Sequence, residues 1–271
     1  MDKHVGIEDK QYQGTVYYLA RSLLLVAPEL HIGANDKTHH RNSFRLFIAH
    51  NKPVRLEFID GQVIECHTLL MSPKAGRLAM IASESNISLF DFAVASPEYA
   101  LFEAVTREKP LIKLDANEFK DLLPKLEEAQ NGALSSNEVK SLMEQVVFLS
   151  AGRWPEPVNY DERITAAIQL IEELPLTEIS VIRLAKEACL SPDRFRHLFK
   201  EVTGSTVSRY ARSSAIWRAM KLLDKGITIT EISHTVGFHD VSHFYHAYSE
   251  QFGVSLSDRL NPRKFKRVRC V

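Results

Sequence analysis

Cysteine is scarce in this 271-residue chain: Cys66, Cys189 and Cys270 are three in number and widely scattered. They form no Cys-x-x-Cys pair, which excludes that metal or redox motif, and the usage suits a reducing cytosol. Long apolar runs are also missing. The best candidate for membrane insertion, Val16 to Ala27, contains Arg21 and is too short to span a bilayer. Met1-Asp2-Lys3-His4 leads into no apolar signal-peptide core, so export is not expected and a cytoplasmic place is. In the N-terminal half no Gly-rich phosphate loop and no nucleophile–base pair is visible, which argues against an enzyme. Charge of either sign is not in excess, with 34 Lys and Arg against 34 Asp and Glu.

What is present reads as an ordinary globular chain, 45% hydrophobic and 25% charged, long enough for two domains. The zero net charge hides an asymmetry. Residues 1–159 carry 17 Lys/Arg and 21 Asp/Glu, whereas residues 160–271 carry 17 and 13. Five of the latter cations lie in the last nine residues, Arg263 to Val271. Such a split marks a nucleic-acid-facing part beside a regulatory one.

The hydrophobic period also changes along the chain. Val16–Ala20, Phe44–Ile48, Val54–Ile59, Val63–Leu70, Leu78–Ala82 and Ile87–Val94 read as strands, several with alternating apolar and polar residues. Asp60-Gly61 joins two of them as a hairpin turn. Short strands between turns, over about 15–95, predict a small antiparallel jelly roll or barrel. Helical spacing follows over about 116–150. One stripe is Phe119, Leu122, Leu123 and Leu126; the other is Leu142, Val146, Val147 and Leu149, with Gly132 and Ser135-Ser136 as breaker and cap. One of these faces is expected to pack on the barrel, leaving the other to form a homodimer. His31, His39, His40, His50 and His67 invite a metal site, but no His-x-His with a paired Glu provides ligand spacing, so neither metal nor cofactor is expected. Gly152-Arg153-Trp154-Pro155-Glu156-Pro157 reads as a linker, because each Pro restricts the residue before it. The resulting division is 1–152, a linker at 153–160, and 161–271. The fold class is therefore α+β, a β jelly roll or barrel with trailing helices followed by an all-α part.

The all-α part contains a repeat. Phe195-x3-Phe199-x4-Gly204 returns as Phe244-x3-Tyr248-x4-Gly253, displaced by 49 residues. Ser191-Pro192 opens the first copy and Asp240 the second, both helix-start signals. Each segment, 192–202 and 241–251, has one apolar stripe and one polar face. Shorter helices over 180–188 and 230–235 precede them, and a long helix at about 206–223 joins the two pairs. Two helix-turn-helix units in one chain suit a protein that reads successive major-groove faces of double-stranded DNA. The candidate contact residues are Arg194, Arg196, His197 and Lys200 on the first unit, and Ser242, Tyr245 and His246 on the second. Arg196 can pair bidentately with guanine, so it is the expected base reader. Lys200 and Arg194, nearer the flank, are expected on phosphates. Asp193 reads as a capping charge near the helix start.

Residues 161–262 resemble the DNA-binding domain of the AraC/XylS family of bacterial transcription regulators. The resemblance rests on Ser191, Phe195, Leu198-Phe199-Lys200-Glu201, Gly204, Tyr210, Ala219, Leu222-Leu223, Ile229, Glu231-Ile232, Val236-Gly237-Phe238, Ser242, Phe244 and Phe252-Gly253. It implies an activator controlled by a small-molecule effector, with RNA polymerase as a further candidate partner. The strand-rich half is similar to the family's cupin-like sensing domain in architecture alone. Departures from the family pattern are Cys189 for the usual turn glycine, Ser233 for a small alanine, and Ala215, His246 and Ser249 where cations are common. These last three predict that the first unit carries more of the electrostatic affinity. The alternative is a metal-dependent jelly-roll enzyme fused to a DNA-binding domain. A DNA-alkyl-repair variant would need a reactive-Cys motif and a zinc cluster, which three isolated cysteines do not provide.

Overall fold

Strands β1 (Gly14–Tyr18) and β2 (Ser22–Ala27) are almost wholly apolar because both of their faces are covered. In the computed structural model, which describes residues 14–28, 30–32, 43–58, 61–75, 78–82, 85–107, 109–157, 160–223, 225–252, 254–261 and 264–270, they lie inside a seven-stranded sheet. The remaining strands are β3 (Leu30–Ile32), β4 (Ser43–Ala49), β5 (Val54–Phe58), β6 (Val63–Cys66), β7 (Thr68–Met71), β8 (Leu78–Ala82), β9 (Ile87–Ala93), β10 (Leu111–Lys113) and β11 (Phe265–Arg269). The large sheet runs β10-β7-β4-β9-β2-β1-β11, and a four-stranded sheet runs β3-β8-β5-β6. Successive side chains point to opposite faces. Leu23, Leu25, Phe47, Leu89 and Met71 therefore pack with Val54 and Leu56 of the small sheet. Leu24, Val26, Phe44, Leu46, Phe90 and Phe92 pack on the other side.

That other side is covered by helices α1 (Pro97–Thr106), α2 (Leu123–Gln130) and α3 (Ser136–Ala151), with a 3-10 turn at Ala116–Leu122. Ser96 caps α1 by accepting from the Tyr99 amide, and Pro97 sits where a missing N–H does no harm. A full capping box, Ser135 with Glu138, starts α3. The C-terminal helices are α4 (Glu162–Glu173), α5 (Val181–Glu187), α6 (Pro192–Thr203), α7 (Val207–Leu222), α8 (Ile229–Thr235), α9 (Val241–Phe252) and α10 (Leu256–Leu260).

Four expectations need correction. Among the described residues neither sheet closes on itself, so the barrel alternative falls, while the α+β class with a β-rich part of two stacked sheets stands. The run Val63–Leu70 is two strands, broken at His67, with β6 in the small sheet and β7 in the large one; a bend of this kind is how a strand changes sheets. Both helical stripes turn inward: Phe119, Leu122, Leu126, Leu142, Val146 and Val147 are all buried within the chain. Neither is left as an open face for a second copy. Finally, the basic tail is a strand, since β11 pairs in parallel with β1, Gly14 opposite Phe265 through Tyr18 opposite Arg269. This pairing carries the last described residues across to the N-terminal sheet. Asp60, His39, His40 and Gly253 lie outside the described residues, as does the side chain of His31.

Candidate nucleic-acid interface

The first helix-turn-helix unit is built from local signals. Ser180 caps α5 through the Arg183 amide, and Ser191 caps α6 through the Arg194 amide. Between them the chain reverses in a Schellman motif. The Cys189 amide donates to Lys186 O and the Leu190 amide to Ala185 O, at 3.1 and 2.9 Å. This motif needs a left-handed residue at its corner. Cys189 occupies that place with φ +53°, which explains why glycine is usual there. Its exposed side chain meets no obstacle.

The second unit repeats the device. A capping box of Thr228 and Glu231 starts α8. The Gly237 amide donates to His234 O and the Phe238 amide to Ser233 O, both at 3.0 Å. Gly237 has φ +92°, and here the corner is crowded. A Cβ would lie 3.0 Å from the Pro175 carbonyl carbon and closer still to the Leu176 nitrogen. Ser233 is buried, and its hydroxyl donates to Asp240 O at 3.1 Å, so the turn absorbs the polar atom that an alanine would lack. Asp240 accepts from the His243 amide at 2.7 Å, which caps α9 and holds its carboxyl below the usual range. Helix α7, sixteen residues and about 24 Å long, separates the two units.

The sequence-predicted contact residues fall as follows. Arg194, Arg196, His197 and Lys200 are all exposed on α6, opposite the buried Phe195 and Phe199. Arg196 pairs with Asp193, and both side chains are more than half exposed. On α9, Ser242 and His246 are exposed. Tyr245 is half-buried, with its ring 6.4 Å from that of Phe244, so it serves the core as well as the surface. His246 Nδ1 lies 3.6 Å from Glu250, which also accepts from Arg212 at 3.0 Å. Ala215 is wholly buried. Its lack of charge concerns helix packing, so only His246 and Ser249 of the three departures thin the charge of the second face. Arg212 is a cation beside that face which the helical pattern did not single out.

A helix-turn-helix domain profile matches residues 184–261. The XylDLEGF operon transcriptional activator 2 of Pseudomonas putida is 32% identical over 105 residues, covering 37% of this chain and 67% of the relative. The chain belongs to the AraC/XylS family. The arabinose operon regulatory protein of Escherichia coli K12 is 27% identical over 146 residues, covering 52% of this chain and 50% of that protein. The chain thus spans about half or less of the length of the first curated relatives it matches. Among solved structures, ToxT of Vibrio cholerae strain SCE256 with an unsaturated fatty acid bound aligns over 92% of this chain and 96% of its own, with TM-score 0.53 and 13% identity. At that identity the likeness shows the fold: a β-rich part joined to AraC-type helices.

In this AraC/XylS chain the helical units are closely tied to the sheets. Arg21, just before β2, pairs with Glu172 of α4, and Tyr210 donates to the same carboxylate at 3.0 Å. The Arg21 guanidinium also lies 5.1 Å from the Tyr210 ring. Between Tyr18, Leu19 and Ala20 on one side and Trp217 and Met220 of α7 on the other is a mainly apolar crevice of about 460 Å³, rimmed by Lys221, Lys225 and Arg269. Sequence reasoning found neither feature, because both join residues some 150 to 200 positions apart. No group of three or more His, Cys, Asp or Glu side chains positioned to hold a metal occurs among the described residues. His50 instead bonds Ser88 at 2.8 Å, with burial pushing its pKa down to about 4. Among the described residues, no helix is long and apolar enough to cross a membrane.

Proposed function

We propose that this protein is a cytoplasmic, sequence-specific DNA-binding transcription regulator, an activator controlled by a small molecule. The observation that carries it is the pair of capped helix-turn-helix units on one linking helix, each with the polar face of its second helix exposed. The α6 face, with Arg194, Arg196, His197 and Lys200, reads one major groove and supplies most of the charge. The α9 face, with Ser242, Tyr245 and His246, reads the next. Residues 161–261 make up this DNA-binding part, 153–160 lead into it, and the sheets and α1–α3 form the sensing part together with β11. A homodimer and contact with RNA polymerase complete the proposal. Footprinting on DNA flanking the protein's own gene tests it. Two protected patches one helical turn apart are expected for each bound chain; no salt-sensitive protection of any sequence would end the reading.

The effector belongs to the crevice between Tyr18 and Trp217. Its apolar walls suit a hydrocarbon body, and Lys221, Lys225 and Arg269 at the rim suit a carboxylate. ToxT, whose fold this chain shares, has been solved with an unsaturated fatty acid, which supports an amphipathic organic acid as the class.

A further inference from the structure

The one ion pair buried to within 1% exposure among the described residues lies far from both reading faces, yet it touches one of their helices. Arg45 of β4 and Asp91 of β9 are direct cross-strand partners. Arg45 Nε donates to Asp91 Oδ2 at 2.7 Å, and Ser43 Oγ donates to the same oxygen at 2.9 Å. The second arm of the guanidinium leaves the sheet. Arg45 Nη2 donates to the carbonyl of Gln251 at 2.6 Å.

Gln251 is in the last turn of α9, where carbonyls have no partner within the helix and the helix dipole places negative charge. A guanidinium fixed by a carboxylate is a rigid two-armed donor, so it holds the position of the carbonyl as well as its charge. Ser43, Arg45 and Asp91 lie on the sheet face that also carries Phe47 and Leu89, and Gln251 and Phe252 are buried against it. The far end of α9 stays open, with Ser242, His243 and His246 exposed. The contact therefore grips the second reading helix by its C-terminus and leaves its reading end clear.

The geometry points to Arg45, fixed by Asp91, as a positioning residue for DNA reading: the N-terminal sheet sets the angle and spacing of α9 relative to α6. This rests on the DNA-binding proposal above. A burial role in the sheet alone would need no hydrogen bond to a helix 206 residues away.

The test removes both charges together, since removing one strands the other in the core. Full-length R45M/D91L is compared with wild type on a two-half-site operator and on one lengthened by roughly five base pairs, half a helical turn. Wild type is expected to prefer the natural spacing. The variant is expected to lose about tenfold in affinity there, as a loosely tethered second head forfeits effective concentration, and to discriminate little between the two spacings. Hydrogen exchange over 244–252 is expected to quicken in the variant while 195–203 keeps its protection. Unchanged spacing preference and unchanged exchange in a folded variant would overturn the inference. If the double variant does not fold, R45K keeps the cation and loses the fork, and the same two outcomes decide. If wild type binds no DNA, the exchange result still judges the grip on α9, and the failure belongs to the DNA reading.

Discussion

Gly237→Ala is expected to destabilise the second helix-turn-helix unit by an amount the neighbouring atoms set. Gly237 has φ +92° at the corner of a Schellman motif. A left-handed backbone costs a non-glycine residue about 1–2 kcal/mol. The added methyl would also press on the peptide between Pro175 and Leu176, which is backbone and cannot swing aside. That peptide donates from the Leu176 amide to Val236 O at 3.0 Å. Losing this bond adds about 0.5–1.5 kcal/mol, for a total of about 1.5–3.5 kcal/mol. Gly204→Ala is the control. Its φ is +68°, but the nearest atom to a new Cβ is a Glu103 carboxylate oxygen at 3.2 Å, on a side chain free to move. Only the backbone cost of about 1–2 kcal/mol applies there. Urea unfolding followed by circular dichroism measures both. If Gly237→Ala stays within about 0.5 kcal/mol of wild type, or costs less than Gly204→Ala, the crowding argument is wrong.

On the first reading helix, Arg196→Ala is expected to cost about 1–3 kcal/mol on the specific site and relax preference at one base pair. Lys200→Ala is expected to weaken all sequences alike and to shallow the salt slope by about one; identical mismatch profiles for the two variants would refute the division of roles. In the crevice, oleate is expected to perturb Trp217 emission in a W154F background, and K221A/K225A to weaken the response; an unresponsive Trp217 removes the crevice as the effector site. Acid stability is expected to fall in two windows, since each group concerned is depressed in the folded state and its contribution is lost as pH falls. His50 acts between its ordinary 6.5 and about 4. Glu138, held down chiefly by Lys125, acts between 4.5 and about 2. A melting temperature measured against pH for His50→Gln checks this, because the upper window alone is expected to flatten.

Short-range signals were legible in the sequence and long-range ones were not. Ser191-Pro192, Asp240, Gly237 and the Phe195/Phe199 and Phe244/Tyr248 stripes are settled within a dozen residues, and the helices they mark stand where the pattern put them. The Ser96-Pro97 cap of α1 was equally local and was overlooked. Strand β2 was hidden by its burial on both faces, which erases alternation and leaves an apolar run without period. Neither Arg45 nor β11 announces itself, because an arginine within a strand pattern reads as a solvent-facing residue and a basic tail reads as solvated. What makes each structural is a partner more than 200 residues away, Gln251 for one and β1 for the other.

The pairing of β11 with β1 has a consequence for how the molecule is made. Gly14–Tyr18 leave the ribosome about 250 residues before Phe265–Arg269, the segment that covers their outer edge. At usual synthesis rates that is roughly 12 to 50 seconds. Throughout it, β1 displays unpaired amides and carbonyls along an apolar strand, the kind of edge on which a second nascent chain can template. The helix-turn-helix units are translated within the same interval, so the seven-stranded sheet is completed only after both units already exist. A translation stop after Leu260 would release a chain with both heads and an open sheet, exposed to edge-to-edge association.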